Sequence, residues 1–361
     1  MRTWLLALGA AMALAAGGPA RAENPPEIPF EGVDALKPPA DMHLGEVAGV
    51  AVNAQGHIFV FQRGNTSGPA YGAAAAQLLE FGPDGKFIRE IGKNLYAWSF
   101  AHAVRIDPKG NIWAADKGSD MVIKFTPAGR VAMVFGRKPE ASDEGAHPLE
   151  HPRPPLPPVD GQFRQVTDMT WDSAGNTYIS DGYINSRVAK VGPDGRWLKS
   201  WGSPGSEPGQ FNTLHSITAD AQDRIYVADR GNARIQVFDT DGKLLKIITL
   251  DVTAPPDAPP AIGAKPGPNS PGLMKPGAPW ALCITPKTAV GPQYLYVSDA
   301  YPGRIYKLTL DGQLLGMLGG SGKQLKQFGW IHEIACPSEN ELYVGELLNW
   351  RLQKLVLHPA K

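Results

Sequence analysis

Three histidines occupy the same position of a sequence pattern that returns along the chain. His102 and His215 each lie five residues before an aspartate, and His332 holds the same place in a third copy. Three imidazole ligands with a fourth position left open are typical of a catalytic zinc site. Another divalent ion is an alternative, because affinity alone does not select the metal. A single histidine is explained as well by a hydrogen bond in a core, but three in matched register favour a metal.

The segments that carry these histidines belong to a repeat that predicts short antiparallel strands. Its clearest copy contains the runs Ile225–Asp229, Arg234–Phe238 and Leu244–Ile248. Alternating apolar residues joined by Asp-Gly turns are typical of β-hairpins. We count six units, which start near Val47, Ala101, Thr167, His215, Trp280 and His332. A four-stranded unit of about 40 residues is typical of a propeller blade. We therefore predict an all-β, six-bladed β-propeller rather than a solenoid, which would need capping units.

The last unit has three strand-like runs instead of four, so its fourth strand must come from elsewhere. An open sheet edge would be an aggregation hazard. We predict that a strand within residues 28–44 closes the ring. This assigns residues 23–44 to a closing segment and residues 45–358 to the propeller. Two proline-rich inserts, 137–162 and 251–278, lack strand periodicity and are predicted to be surface loops on the histidine face.

Blade geometry predicts that the histidines meet. The first strand of a blade lines the central channel, and the histidines begin first strands in the second, fourth and sixth units, which approximate threefold symmetry relates. The ends of the second strands reach the same face and present Arg63, Tyr183 and Arg230. Arginine can hold a carboxylate through two N–H groups. A tyrosine beside a metal and an arginine can serve as a general base. Taken singly, each of the three is also explained as a loop residue.

The charge composition and the N-terminal sequence indicate which partners and which cellular compartment to expect. The 361 residues contain 35 basic and 35 acidic side chains, which gives no electrostatic reason to expect nucleic acid or an anionic membrane as a partner. Residues 1–22 combine a positive charge, a short apolar run and small residues before the end, which predicts a secretory signal peptide; a retained anchor is the alternative. No other stretch reaches the ~20 apolar residues of a membrane span. We expect a secreted or periplasmic monomer that acts on a small molecule or peptide.

The chain has two cysteines, Cys283 and Cys336, in strand-like runs of neighbouring units. In an exported protein they can pair, although two cysteines do not make a disulfide scaffold. The sequence is equally compatible with a disulfide bond and with buried free thiols.

These motifs resemble a known family. The run Ile225–Ile235 resembles NHL repeats. The ordered set of Gln62–Gly64, Ser180–Arg187 and His332–Ile334 resembles peptidyl-α-hydroxyglycine α-amidating lyase, and the resemblance extends over about residues 45–356. It implies a six-bladed propeller that converts a C-terminal α-hydroxyglycine into an amide and glyoxylate.

The resemblance also implies roles for individual residues. The zinc ligands are implied at His102, His215 and His332. The catalytic tyrosine and arginine are implied at Tyr183 and Arg63, with a second arginine of the site at Arg230. A structural calcium in the channel is implied at the carboxylate of Glu333 and the backbone carbonyls of Val50 and Val104. Glutamate keeps the hard carboxylate oxygen of the family's aspartate, which is compatible with calcium. Trp330 departs from the family, which has a methionine of the substrate pocket there.

The leading hypothesis is an exported, zinc-dependent lyase that cleaves the N–Cα bond of a carbinolamide. In it zinc polarises a substrate oxygen, Tyr183 takes the hydroxyl proton, and Arg63 and Arg230 bind and orient the substrate. The first alternative is a non-enzymatic propeller that binds a protein, peptide or glycan on one face, since fold does not determine function. The second alternative is a metal-dependent hydrolase of lactones or esters, and the three histidines argue against it.

Overall fold

A computed structural model describes the chain over residues 25–64, 76–138, 156–267 and 269–358. In these ranges the chain forms 24 β-strands, arranged in six four-stranded sheets. The all-β, six-bladed propeller predicted from the sequence is therefore confirmed. The predicted signal peptide, residues 1–22, and residues 139–155 of the first insert lie outside the described residues.

Strand β1, Phe30–Asp34, precedes the first blade, and the other strands follow in blade order. The first blade consists of β2 Glu46–Val52, β3 Ile58–Arg63, β4 Ala76–Phe81 and β5 Phe87–Ile91. The second consists of β6 Ala101–Ile106, β7 Ile112–Asp116, β8 Met121–Phe125 and β9 Val131–Gly136. The third consists of β10 Asp168–Trp171, β11 Thr177–Asp181, β12 Arg187–Val191 and β13 Trp197–Trp201.

The fourth blade consists of β14 Leu214–Ala219, β15 Ile225–Asp229, β16 Arg234–Phe238 and β17 Leu244–Ile248. The fifth consists of β18 Leu282–Ile284, β19 Tyr294–Ser298, β20 Ile305–Thr309 and β21 Leu314–Leu318. The sixth consists of β22 Ile331–Ser338, β23 Glu341–Glu346, β24 Arg351–Leu357 and β1. In the same ranges, two short 3₁₀ helices span Arg230–Asn232 and Gly272–Met274. Within the described ranges, no helix has the length and apolar character needed to cross a membrane.

Strand β1 closes the ring by pairing with the last strand of the chain. It runs antiparallel to β24, with Phe30 opposite Leu357 and Asp34 opposite Gln353. The sixth sheet is thereby completed in the order β22, β23, β24, β1. The closing strand lies within residues 28–44, where the three-stranded last unit of the sequence required it.

Apolar cores fill the interfaces between adjacent blades. Six clusters of buried side chains lie one between each pair of neighbouring sheets. The innermost strands contact one another in a closed circle formed by β2, β6, β10, β14, β18 and β22. This circle determines where each innermost strand begins, and therefore where side chains at those positions meet.

The two cysteines form a disulfide bond between the innermost strands of the fifth and sixth blades. Cys283 in β18 and Cys336 in β22 are joined, with their Cα atoms 6.0 Å apart. Of the two alternatives that the sequence left open, the structure therefore has the bond. It adds a covalent link to the circle of inner strands.

Candidate functional site

The three predicted histidines meet in the central channel. The ring centroids of His102, His215 and His332 lie 4.8, 4.6 and 4.7 Å apart, which makes a nearly equilateral triangle. All three side chains are buried, and one possible ligand atom from each lies within 4.8 Å of the others. Three histidines in this arrangement could bind one metal ion.

A β-bulge brings each histidine into this position. The pairing of β6 with β7 skips from Ala101 to Ala103, and that of β22 with β23 skips from Ile331 to Glu333. The register of β14 shifts in the same way between Leu214 and Ile217. A bulge inserts one extra residue and redirects its side chain. The imidazoles therefore point toward the axis from strands whose regular pairing is interrupted at the histidines.

Backbone carbonyls of the following blades orient the three rings. Nδ1 of each histidine lies 2.7 Å from a carbonyl oxygen, and the pairs are His102 with Thr167, His215 with Trp280, and His332 with Ala48. A carbonyl oxygen only accepts, so Nδ1 carries the hydrogen and Nε2 keeps its lone pair. Nε2 of His215 is buried without a hydrogen-bond partner in the described part of the chain. This is the orientation of metal-binding histidines, whose second nitrogen donates to a protein group, and these residues fit a metal ion.

The histidines are neutral at physiological pH. Burial is the main cause that lowers the pKa of each imidazole well below its ordinary value of 6.5. The positive charge of Arg230 lowers the pKa of His215 further, and that of Arg63 lowers the pKa of His332 further. A neutral imidazole is the form that binds a metal, so no proton has to be displaced.

Tyr183 lies beside the histidines, as the sequence predicted. Its hydroxyl oxygen is 3.3 Å from Nε2 of His102. Its ring faces two cations, with Lys117 Nζ at 4.0 Å and the guanidinium carbon of Arg230 at 5.5 Å from the ring centroid. Burial alone would raise the pKa of Tyr183, but the charges of Arg230, Lys117 and Arg63 outweigh burial and lower the pKa. This environment favours a phenolate compared with an isolated tyrosine.

Arg230 presents unused donors at the same place. Its guanidinium stacks on the indole of Trp280 at 3.9 Å from the ring centroid. Burial is the main cause that lowers the pKa of Arg230, and the negative charge of a Tyr183 phenolate opposes it. Within the described residues, its Nε and Nη1 atoms are buried and have no hydrogen-bond partner. Two buried, unpaired donors on a cation favour an anionic oxygen ligand such as a carboxylate.

Arg63 also reaches the site but is already held by the protein. Its Nη1 donates to Glu46 at 2.5 Å, and its Nε donates to the carbonyl oxygen of Ala101 at 3.1 Å. The guanidinium stacks on Phe100, 3.8 Å from the ring centroid. Arg63 therefore contributes a fixed positive charge, while Arg230 has the donors left for a ligand.

Lys117 belongs to the site and was missed by the sequence reasoning. It follows Asp116 at the end of β7, just as Arg230 follows Asp229 at the end of β15. Burial is the main cause that lowers the pKa of Lys117, whereas Tyr183 opposes that shift. Its position in the repeat could have identified it. Lys117 lies at the end of a second strand, as Arg63 and Arg230 do.

The indoles of Trp280 and Trp330 form a wall beside His215. The Trp280 ring lies 5.0 Å from the His215 ring and 4.9 Å from the Trp330 ring. Trp280 Nε1 donates to the carbonyl oxygen of Leu273 at 3.0 Å, so the loop 251–278 contacts the site. Trp330, where the resemblance places a methionine, therefore makes this wall aromatic.

The residues predicted for calcium make other contacts. Oε2 of Glu333 accepts hydrogen bonds from the backbone N–H groups of Val50 at 2.8 Å and Val104 at 3.2 Å. Its Oε1 lies 2.9 Å from Nε of Arg105. Calcium needs six to eight oxygen ligands, and here both carboxylate oxygens face donors and a fixed positive charge. With the Arg105 guanidinium in place, the carboxylate of Glu333 does not fit the calcium ion that the resemblance implies.

The chain is similar in sequence to NHL-repeat proteins and to peptide-amidating enzymes. The family model of the NHL repeat matches residues 211–238. Peptidylglycine alpha-amidating monooxygenase of Rattus norvegicus is 29% identical over 257 residues, which cover 61% of this chain and 24% of that protein. A probable peptidyl-alpha-hydroxyglycine alpha-amidating lyase of Caenorhabditis elegans is 27% identical over 212 residues, which cover 54% of this chain and 56% of the relative. The matched part is therefore about a quarter of the first relative and about half of the second.

A solved structure has a fold similar to that of this chain. Virginiamycin B lyase from Staphylococcus aureus aligns with a TM-score of 0.56 and 14% identity, covering 92% of this chain and 100% of that one. At this identity the likeness concerns the fold alone. It agrees with the ring of blades described above.

Proposed function

Since the chain is a relative of the NHL-repeat amidating lyases, we propose that it is a metal-dependent carbon–nitrogen lyase. Its substrate is an N-acyl-α-hydroxyglycine, and its products are an amide and glyoxylate. The observation that carries this proposal is the Tyr183 hydroxyl, 3.3 Å from His102 Nε2 within a cluster of three buried histidines.

The metal is proposed to be zinc, held by Nε2 of His102, His215 and His332. Three protein ligands with an open fourth position are the arrangement of catalytic zinc sites. Bound zinc supplies Lewis-acid polarisation of a substrate oxygen. The protein's contribution is the fixed orientation of three neutral imidazoles, each with its Nδ1 bonded to a carbonyl.

Tyr183 is the proposed general base. It takes the proton of the substrate hydroxyl, the carbon–oxygen double bond of glyoxylate forms, and the N–Cα bond breaks. The electron pair of that bond goes to the amide nitrogen, and Tyr183 returns the proton to this nitrogen, so that the atoms of the substrate balance those of the two products and the base is regenerated. Lys117, Arg63 and Arg230 support this role because their charges lower the pKa of the Tyr183 phenol.

Arg230 is proposed to bind the substrate carboxylate. Its Nε and Nη1 are the buried donors without a partner in the described ranges, and stacking on Trp280 fixes the plane of the guanidinium. Arg63, which already bonds Glu46, contributes charge near the phenolate. A carboxylate placed by Arg230 orients the adjacent hydroxyl-bearing carbon toward Tyr183, which is the positioning that an elimination needs.

We also propose that the protein is exported. The signal-peptide pattern of residues 1–22 motivates this, and the disulfide between Cys283 and Cys336 supports it, because stable disulfides are rare in the reducing cytosol.

The test is Tyr183→Phe, with Tyr301→Phe as the matched control. Tyr301 stands in the fifth blade at the strand end that corresponds to Tyr183 in the third. With benzoyl-α-hydroxyglycine as substrate, Tyr183→Phe should lower glyoxylate release by about 100-fold or more, while bound zinc stays near one per chain. Unchanged turnover in Tyr183→Phe would remove it as the base. Wild-type protein without bound metal and without glyoxylate release would favour the binding propeller.

A further inference from the structure

The central channel contains a charged cluster that the proposed reaction does not use. Arg105 from β6, Asp168 from β10 and Glu333 from β22 point into the channel together. Arg105 Nη2 lies 2.7 Å from Asp168 Oδ2, and Arg105 Nε lies 2.9 Å from Glu333 Oε1. The side chains of Asp168 and Glu333 are only 2% and 3% exposed, and that of Arg105 is 13% exposed. An ion pair so well buried stabilises only when its remaining donors and acceptors are satisfied.

The other donors of Arg105 reach the remaining blades. Nη1 lies 3.3 Å from the carbonyl oxygen of Ile334 in the sixth blade. Nη2 lies 3.4 Å from Ser216 Oγ in the fourth blade and 3.5 Å from the carbonyl oxygen of Leu282 in the fifth. Since Glu333 accepts from Val50 of the first blade, the cluster connects innermost strands of all six blades.

Three of the four carboxylate oxygens accept hydrogen bonds, and the fourth, Glu333 Oε1, faces Arg105 Nε without a hydrogen-bond partner in the described residues. Asp168 Oδ1 accepts from the N–H of Met169 at 2.8 Å, and its Oδ2 accepts from Ser216 Oγ at 2.8 Å and from the N–H of Ile217 at 3.1 Å. Glu333 Oε2 accepts two further backbone N–H groups. These N–H and O–H groups stabilise the two carboxylates beside the single guanidinium. Arg105 Nε lies 2.9 Å from Glu333 Oε1, so a calcium ion bound to this oxygen would have to displace the guanidinium.

We propose that Arg105 is the structural cation of the channel and replaces the calcium ion that the resemblance implies. A guanidinium is permanently charged and carries five N–H donors in a planar fork, so it can join groups from several blades at once. Because Arg105 is part of the chain, its charge cannot dissociate. Glu333 directly follows His332, so the cluster also supports the strand that carries this histidine. The fold and the histidine site are therefore independent of calcium.

The experiment measures calcium content and melting temperature of the whole protein after dialysis into calcium-free buffer. Wild-type protein should contain no bound calcium, and millimolar calcium chloride should leave its melting temperature unchanged. Arg105→Ala exposes the carboxylates of Asp168 and Glu333 to each other and vacates the space between them. This variant should melt at a lower temperature and recover about 5 °C when calcium is added.

Two further variants make every outcome decisive. Arg105→Lys keeps the charge, so it should stay independent of calcium and melt above Arg105→Ala. Arg224→Ala is the control, because the Arg224 guanidinium lies outside this cluster and bonds Asp220, 2.6 Å away. This variant should not acquire a response to calcium. The proposal is overturned if the wild type holds calcium or is stabilised by it, or if Arg105→Ala folds and ignores calcium. If Arg105→Ala does not fold, the wild type and Arg105→Lys decide. None of these readouts depends on lyase activity, so the two proposals fail separately.

Discussion

His332 donates its Nδ1 hydrogen to the carbonyl oxygen of Ala48, 2.7 Å away, across the junction of the last blade and the first. His102 and His215 make the same bond to carbonyls 65 residues further along the chain. Each ring is thus oriented by the blade that follows its own. The triangle of imidazoles therefore depends on a closed ring, and the histidine at the junction depends on closure most directly.

Replacing His332 with alanine should abolish metal binding. Two imidazoles do not make a zinc site, because catalytic zinc is held by three protein ligands. Zinc content measured by mass spectrometry should fall from about one to below about one tenth per chain, with an unchanged circular dichroism spectrum. His57→Ala is the matched control, since His57 lies outside the channel and bonds Glu80. Full zinc occupancy in His332→Ala would contradict the assignment.

Truncating Phe30 should weaken ring closure. Phe30 lies in β1, packs partly into the core between the fifth and sixth blades and stacks on Phe328 with ring centroids 6.5 Å apart. Because Phe30 is half-buried, Phe30→Ala should lower the free energy of unfolding by about 1–3 kcal/mol, less than a fully buried phenylalanine. Denaturant unfolding measures the change. Glu31→Ala, at the exposed neighbouring position, should change stability by less than about 0.5 kcal/mol, and equal effects of both substitutions would speak against a closing role.

Removing the disulfide should destabilise the ring further. The bond closes a loop of 53 residues, and loop-closure entropy predicts a contribution of about 4 kcal/mol as an upper value. The double variant Cys283→Ala, Cys336→Ala should therefore lose about 2–4 kcal/mol of unfolding free energy, measured by denaturant titration. Wild-type protein treated with dithiothreitol should lose a similar amount. An unchanged unfolding midpoint would show that the other blade contacts alone determine stability.

Much of the fold could be predicted because its signals are local. The strands Ile225–Asp229, Arg234–Phe238 and Leu244–Ile248 have the same bounds in the structure as in the prediction, since alternation and Asp-Gly turns specify hairpins within one blade. The meeting of three histidines followed from the symmetry of alternate blades. In these cases a repeat unit and its number determined the geometry.

Contacts between blades could not be predicted in the same way. Arg105 lies three residues after His102, and no local pattern shows that its guanidinium bonds Asp168 and approaches Glu333. The calcium prediction came from the resemblance, which placed Glu333 and two backbone carbonyls in the channel without this cation. The carbonyl partners of the histidines depend on which backbone group of the next blade reaches each ring. Lys117 is different, because comparing second-strand ends across the repeat would have identified it.

Replacing Arg230 with lysine should separate substrate binding from metal binding. Lysine keeps the positive charge but loses the fixed donors Nε and Nη1, which lack a partner in the described part of the chain. A hydrogen bond to a charged group contributes about 1.5–3 kcal/mol, so KM for benzoyl-α-hydroxyglycine should rise about 10- to 100-fold. Zinc content should stay the same. Arg234→Lys, in the same blade, should leave KM within about twofold, because the Arg234 guanidinium bonds Asp229 and the carbonyl oxygens of Glu207 and Gln210 rather than the candidate site. If Arg230→Lys lowered the melting temperature but left KM unchanged, Arg230 would have a structural role, and the substrate carboxylate would have to bind elsewhere.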